Sequence, residues 1–470
     1  MRVLVVGLAT TGASVVSYTR AAGHDVTVLE DRPPTTGAAA DAYRARAEQA
    51  VAEGAVLVES ADADTAAARG RAADLVVPSP GVRPDHPALV AAHGAGVPVR
   101  SEIDLAAARL RARPEAPRLI AVTGTNGKTT VTTLIDAMLR AAGIASVAAG
   151  NIGRPLLDAA GDDVAVVVAE VSSFQLALTT TAFAPDVAVL LNVAEDHLDW
   201  HGAADAYAAA KARVFVHQGP DALLVVNGDD AVADALAADA PGRVVRFVAG
   251  APDPAGYGVH DGELVGPGGV VVAPVPATGA PHDIANALAA AAAALEVGAA
   301  PDAVARALAG FGGLAHRVQL VGERDGVRFY DDSKATNPHA TASALAGFEH
   351  VVLIAGGRNK DLDLGGLRAH ADRLRAVVAI GEAAGEVEAV FAGVVPVVRA
   401  DSMHDAVRAA SARALPHDAV LLSPACASFD WYESYAARGD DFAREVELLT
   451  EVTAPWPNGE PASCPNGGSA

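Results

Sequence analysis

The stretch Ala121-Val122-Thr123-Gly124-Thr125-Asn126-Gly127-Lys128-Thr129-Thr130 decides the reading of this chain. Residues 119–122 are an apolar run of strand length, and residues 131–139 repeat apolar side chains at helical spacing before Gly143, a residue suited to ending a helix. The glycines therefore fall on a strand-to-helix turn. There the backbone can approach an anion closely, and the first N–H groups of the helix are unpaired. Lys128 supplies a positive charge, and the Thr129 hydroxyl is placed to ligate Mg²⁺. The strict phosphate-loop pattern asks for a glycine in the zone occupied by Val122-Thr123-Gly124, so this is a compressed variant. A Gly/Asn turn followed by a surface lysine is the plainer alternative. Strand, helix and Lys-Thr pair agree on ATP, with Gly124, Thr125, Asn126, Gly127, Lys128, Thr129 and Thr130 around its phosphates.

Upstream of this loop, residues 3–8, 25–30, 55–59, 75–78 and 97–99 are short apolar runs separated by alanine-rich helical stretches, the pattern of a parallel sheet covered by helices. The first turn, Gly7-Leu8-Ala9-Thr10-Thr11-Gly12, approximates a dinucleotide fingerprint, with Glu30 and Asp31 at the distance expected of a ribose contact. Ala9 replaces the glycine that brings a pyrophosphate close, and no residue of nicotinamide chemistry follows. The turn therefore reads as a nucleotide-diphosphate binder rather than a redox domain. Ser79-Pro80-Gly81 belongs to the same carboxyl edge unless it is an ordinary Pro-Gly turn.

Downstream, an Arg/Pro-rich linker at 111–118 opens the unit that holds the phosphate loop, and residues 164–170, 187–193 and 222–227 continue its strands. Two of these end in functional groups: Glu170 before Ser172-Ser173-Phe174-Gln175, and Asn192 before Glu195-Asp196-His197. Charged groups at strand carboxyl ends beside a phosphate loop suit metal and phosphate, with a capped, solvated turn as the alternative. A third unit begins near Gly312, with strands expected at 328–331, 351–355, 376–380, 394–398 and 419–422. The loops at its carboxyl edge are Asp331 to Pro338, Gly356-Gly357-Arg358-Asn359-Lys360 and Ser423-Pro424-Ala425-Cys426-Ala427-Ser428.

Composition closes off other classes. The chain has 470 residues, 51% of them hydrophobic, which suffices for several cores. Its mean hydropathy of +0.25 comes from alanine, and the run 287–294 ends at Leu295-Glu296, far short of the roughly 20 residues of a membrane span. The formal net charge of -22 argues against a nucleic-acid partner. Met1-Arg2 leads directly into a strand with no export signal, and the two cysteines, Cys426 and Cys464, make neither a disulfide framework nor a metal cluster. A cytoplasmic protein is expected.

Gly124-Thr125-Asn126-Gly127-Lys128-Thr129, Gly150-Asn151-Ile152-Gly153, Glu170-Val171-Ser172-Ser173-Phe174-Gln175-Leu176, Asn192 to His197 and Asp332 to Asn337 together resemble the Mur ligase family over almost the whole chain. Within it, Asp332-Ser333-Lys334-Ala335-Thr336-Asn337 and Ser423 to Ser428 resemble the members that attach D-glutamate to UDP-N-acetylmuramoyl-L-alanine through an acyl phosphate. The resemblance implies an α/β protein of three domains: 1–107 Rossmann-like and UDP-binding, 108–312 a P-loop ATPase-type domain, and 313–454 a Rossmann-like amino-acid domain. Residues 455–470 would be a disordered tail. It implies ATP and Mg²⁺, small-molecule substrates, no nucleic-acid or membrane partner, and a monomer.

Site residues follow from the same resemblance. Thr11, Asp31, Arg32, Ser79 and Gly81 correspond to uridine-diphosphate contacts, Asn151 and His197 to contacts with the rest of that substrate, and Asn286, Arg317 and Asp332 to adenosine contacts. Lys334, Thr336, Lys360, Ser428, Phe429 and Tyr435 correspond to the D-glutamate site, and Lys128, His197, Lys211 and Lys334 to catalytic positions. Thr129, Glu170, His197 and Lys211 correspond to metal ligands, the last as a carbamate. Read alone, Lys211 is a solvated helix lysine; as a carbamate it becomes an anion able to ligate Mg²⁺. Asp283 stands where relatives often carry asparagine, which bears on adenine recognition. Two other readings stay open: a sister ligase that adds another amino acid to a muropeptide or glutamate to folate, and a nucleotide-sensing protein without turnover.

Overall fold

Continuous runs of Val, Leu, Ile and Ala form strands that can be buried on both faces, and this chain supplies three sets of them. The computed structural model describes residues 1–276 and 279–451, so the tail expected at 455–470 lies outside the described residues. Two compact units divide between Gly313 and Leu314.

The first unit opens with β1 (Arg2–Val6), β2 (Asp25–Glu30), β3 (Val56–Glu59) and β4 (Leu75–Pro78), a parallel sheet in the order β3-β2-β1-β4. Residues 97–99, expected as a further strand, make a single parallel bridge, Val99 with Val76. Pro98 has no N–H to extend the ladder, and the chain soon enters helix Glu102–Arg111. A second parallel sheet follows: β5 (Arg118–Thr123), β6 (Ser146–Gly150), β7 (Val166–Glu170), β8 (Val187–Leu190), β9 (Leu223–Asn227) and β10 (Arg243–Phe247), in the order β10-β9-β8-β5-β7-β6. β5 thus lies where the strand order reverses, and its carboxyl end opens into the crevice that such a reversal creates.

Helices Lys128–Ala141 and Pro281–Glu296 pack on one face of this sheet. The alanine run explains itself here, because Ala287 to Ala294 are all at most 1% exposed in a layer that larger side chains would force apart. An antiparallel sheet of β11 (Gly258–His260), β12 (Glu263–Gly266) and β13 (Val270–Pro274) was not expected from the sequence. Its strands are short, and the Gly-Pro-Gly-Gly run at 266–269 reads as loop.

The second unit holds β14 (Gln319–Arg324), β15 (Val327–Asp331), β16 (Val351–Gly356), β17 (Leu374–Ile380), β18 (Val397–Arg399) and β19 (Ala419–Ala425), in the order β14-β15-β19-β16-β17-β18. Five strands are parallel; β14 runs antiparallel at the edge, an addition that alternation with helices did not suggest.

Within the first unit, buried polar contacts fasten the first sheet's helices to the second sheet's. Ser14 Oγ donates to Asp158 (2.5 Å), Thr180 N donates to Asp104 (2.8 Å), and Glu102 Oε1 accepts from Leu157 N (2.5 Å). Glu102 is 1% exposed and its Oε2 has no partner. Burial outweighs the Leu157 N–H and raises its pKa to about 7. A carboxyl group whose folded pKa lies above its unfolded value contributes stability that is complete below the unfolded pKa and is lost as pH rises through the folded one. Glu102→Gln keeps an acceptor for Leu157 without the charge. Its melting temperature is expected to rise relative to the wild type between about pH 5 and about pH 8; a difference that stays flat across that range refutes the assignment.

Candidate active site

At the end of β5 the chain turns through Gly127, whose φ of +84° favours glycine, into helix Lys128–Ala141. A Cβ on Gly127 would lie 2.6 Å from Asn286 Oδ1, so the buried alanine helix brings Asn286 directly against this loop. Asn192 grips the loop at both backbone groups of one residue, accepting from Asn126 N (2.8 Å) and donating to Asn126 O (3.2 Å). Thr125 Oγ1 accepts from Ala194 N (3.0 Å) and lies 3.1 Å from the Tyr207 hydroxyl. Lys128 Nζ donates to Gly124 O (2.8 Å) and Thr125 O (2.9 Å).

Lys211, from helix Ala204–Ala212, reaches the same carbonyl, with Nζ 2.7 Å from Gly124 O and 4.5 Å from the centre of the Tyr207 ring. It is 1% exposed, so the solvated reading of a helix lysine does not hold. Burial, reinforced by Lys128 and opposed by Asp196, holds its pKa well below the ordinary lysine value.

Glu170 closes β7 and is buried. Asn151 Nδ2 donates to its Oε1 (2.8 Å), while Oε2 has no partner. Ser172 and Gln175 form a reciprocal capping box that starts helix Ser173–Ala177 and directs Phe174 toward His197, ring centres 4.7 Å apart. His197 has a left-handed backbone, φ +53°, and its N–H donates to Asp196 (2.9 Å). His201, 3.0 Å from Ser173 Oγ, has its pKa lowered to about 4 by burial and the neighbouring His197 and Lys211, so its imidazole is neutral at physiological pH.

At the carboxyl edge of the first sheet, Gly12 packs so tightly on the first turn that a Cβ there would lie 2.1 Å from Gly7 O. Ser79 Oγ donates to the same carbonyl (3.0 Å), which draws Ser79, Gly81 and Thr11 to one edge. Asp31 Oδ2 lies 2.7 Å from His86 Nε2, Arg32 is exposed, and Glu30 receives Leu8 N (2.8 Å), so of the two acids Glu30 is committed to the turn itself.

In the second unit, Asp332 is buried, accepts from Ser423 Oγ (2.7 Å), and has its pKa raised to about 7 by burial against the opposing effects of Ser423 and Arg317. Arg317 lies between His316 and Val318, at φ +60° and +45°, a strained conformation for a β-branched residue. Lys334 Nζ lies 3.7 Å above the Tyr435 ring. Arg358 N donates to Ala427 O (2.9 Å), which binds the loop of Lys360 to that of buried Ser428. Thr336 is half-buried, and Phe429 is 62% exposed.

Arg438 holds these loops together. Only 1% exposed, it donates to Ser333 Oγ (2.9 Å), Ser333 O (2.9 Å) and Cys426 O (3.1 and 3.2 Å), and burial lowers its pKa to about 10. The Cys426 thiol is buried beside it and pushed up to about 12.

Three family models match along the chain: MurD-like N-terminal domain at residues 1–101, Mur ligase middle domain at 122–294, and Mur ligase, glutamate ligase domain at 316–426. The UDP-N-acetylmuramoylalanine–D-glutamate ligase of Frankia casuarinae is 47% identical, with 94% of this chain and 93% of the relative covered. That of Thermobifida fusca is 42% identical, with 95% and 98% covered. The chain belongs to the Mur ligase family. The Mur ligase fold is also that of MurF from Acinetobacter baumannii (TM-score 0.61, 18% identity, 94% of this chain and 93% of that one). MurC from Thermotoga maritima shares it (TM-score 0.58, 18% identity, 96% and 100%).

For a Mur ligase, this arrangement contains braces that the sequence reading did not single out as site residues: Asn192, Tyr207, Trp200 and Arg438. Their signal is long-range contact, and the 105 positions between Ser333 and Arg438 hide it from any local pattern. Asn192→Ala removes both grips on Asn126. Two hydrogen bonds of about 1 kcal/mol each predict a rise of roughly tenfold or more in the KM for ATP, measurable by steady-state kinetics. An unchanged KM would show that the loop holds its shape without them.

Proposed function

We infer that this chain joins D-glutamate to UDP-N-acetylmuramoyl-L-alanine at the expense of ATP, acting as a monomer in the cytoplasmic assembly of peptidoglycan precursors. Kinship with ligases named for that reaction carries the reading, from 47% identity in Frankia casuarinae to 38% in Acidobacterium capsulatum over 97% of this chain. Lys334 and Lys360, in loops at one edge of the second unit's sheet, support the acceptor class. A dicarboxylic amino acid meets two cations that a neutral one would leave unpaired.

Thr11, Asp31, Arg32, Ser79 and Gly81 hold the uridine diphosphate, and Asn151 and His197 the muramoyl-alanine end. The phosphate loop from Gly124 to Thr130 takes the ATP phosphates, with Asn286, Arg317 and Asp332 on its adenosine. Thr336, Ser428, Phe429 and Tyr435 complete the D-glutamate site around the two lysines. An oxygen of the alanine carboxylate attacks the γ-phosphorus and ADP departs, leaving an acyl phosphate. The neutral amine of D-glutamate then attacks the carbonyl carbon, loses a proton, and the tetrahedral adduct expels phosphate. Lys128 counters the charge on the phosphoryl oxygens, and exclusion of water protects the acyl phosphate from hydrolysis.

Thr129, Glu170, His197 and Lys211 fit Mg²⁺ once Lys211 is an anion. Among the described residues no three His, Cys, Asp or Glu side chains are grouped to hold a metal, and an ammonium has no lone pair to offer. Glu170 Oε2 is buried without a partner, which suits a ligand awaiting its cation. The depressed pKa of Lys211 favours its neutral amine. That nitrogen can bond to the carbon of CO2 and release a proton, which yields a carbamate whose single negative charge is shared by two oxygens. When bound, Mg²⁺ would neutralise charge on the phosphoryl group in transfer.

Phosphate release from ATP with UDP-N-acetylmuramoyl-L-alanine, assayed with D-glutamate, L-glutamate, L-lysine and meso-diaminopimelate in turn, is expected with D-glutamate alone. Release with another amino acid would make the chain a sister ligase, and release with none would point to the folate or nucleotide-sensing reading. Lys211→Ala is expected to lose activity, and short carboxylic acids to restore part of it by replacing the carbamate; turnover equal to the wild type would sink the carbamate.

A further inference from the structure

The indole N–H of Trp200 donates to the carbonyl of Val82 (3.1 Å), across 118 positions of sequence. Val82 closes the turn that carries Ser79 and Gly81, its N–H donating to Ser79 O (3.0 Å). On its other side the indole packs edge-on against Phe174, with ring centres 5.0 Å apart, and against His201 at 4.5 Å. Phe174 meets His197 at 4.7 Å, and His201 meets Tyr207 at 5.2 Å. The Tyr207 hydroxyl lies 3.1 Å from Thr125 Oγ1 in the phosphate loop, and its ring faces Lys211 Nζ. A continuous run of aromatic rings therefore joins the turn at the edge of the first sheet to the phosphate loop at the edge of the second. Trp200 is the member that bonds to the first sheet's side.

We propose that Trp200 is a positioning residue that sets the separation between the diphosphate-binding turn and the phosphate loop, acting through Val82 on one side and through His201 and Tyr207 on the other. This rests on the functional reading above. The nucleotide substrate is gripped at its diphosphate and reacts at its distant carboxylate, so its reacting atom reaches the γ-phosphate in register only if the two sites are held at a fixed spacing. A misplacement of about 1 Å can cost two orders of magnitude in rate. Close ring contacts transmit that spacing better than flexible aliphatic side chains, because each ring has few rotamers and a preferred packing geometry.

The test separates positioning from bulk stability. Trp200→Phe keeps a ring and loses the N–H, so its melting temperature should stay near the wild type. Loss of one hydrogen bond of about 1 kcal/mol should raise the KM for UDP-N-acetylmuramoyl-L-alanine roughly fivefold and leave the KM values for ATP and D-glutamate within about twofold. Trp200→Ala also removes the support of Phe174 and should lower kcat as well as raise that KM. If the alanine variant fails to fold, the phenylalanine variant decides alone. A Trp200→Phe enzyme with a wild-type KM for the nucleotide substrate, or with all three KM values raised equally, overturns the proposal. If the wild type turns over none of these substrates, it is the functional reading that fails. Calorimetry with UDP itself then decides the positioning role: binding roughly fivefold weaker in Trp200→Phe upholds it, and equal affinities overturn it.

Discussion

Two ammonium groups converge on one carbonyl oxygen. Lys128 Nζ lies 2.8 Å and Lys211 Nζ 2.7 Å from Gly124 O, the first from the loop's own helix and the second from a helix more than seventy positions later. The oxygen has two lone pairs and can receive both donors, but two cations this close, one half-buried and one buried, repel. Lys211 is the more deeply enclosed and is the one whose charged form is suppressed. Around it the backbone is fastened at Thr125, Asn126 and Ala194. The local framework is therefore fixed by backbone and side-chain hydrogen bonds, and it holds two lysine side chains against one carbonyl.

The architecture serves that point. β5 lies between β7 and β8, so the strand ends that carry Glu170 and lead to Asn192 flank the phosphate loop on either side. The alanine layer of helix Pro281–Glu296 lets backbone approach backbone and sets Asn286 against Gly127, whose missing side chain makes the room. The second unit repeats the device with different parts. Three strand-end loops carry the functional groups, and a single guanidinium draws two of them together by their carbonyl and hydroxyl oxygens.

Local structure was legible in the sequence. The glycine turn between β5 and helix Lys128–Ala141, the strand ending in Glu170 and the loop from Asp331 to Pro338 each declare themselves within about ten residues, because a glycine turn or a buried apolar run needs no distant partner to be recognised. The residues that hold those pieces in place were not legible. Asn192 was visible as a strand-end residue, but its grip on Asn126 depends on two strands being neighbours. Trp200 carries no local signal; its place shows only in the bond from its indole N–H to Val82 O, 118 positions away. The same limit hid β11 to β13 and the edge strand β14, whose pairing is set by what they lie against rather than by their own composition. Lys211 shows the converse. Its helix has an ordinary pattern, and its burial against Gly124 O comes from a contact 87 positions away.

Cys426 belongs to the structure that Arg438 locks. Its carbonyl receives the guanidinium, while its thiol, buried and pushed up to about 12, stays protonated at any pH at which the protein would be handled. Thiolate is the reactive form toward alkylating agents, peroxides and disulfides, so this sulfur behaves as a small apolar group. Oxidative damage at this position therefore requires the third loop to open first, and its rate becomes a measure of how firmly one buried arginine keeps the loop shut.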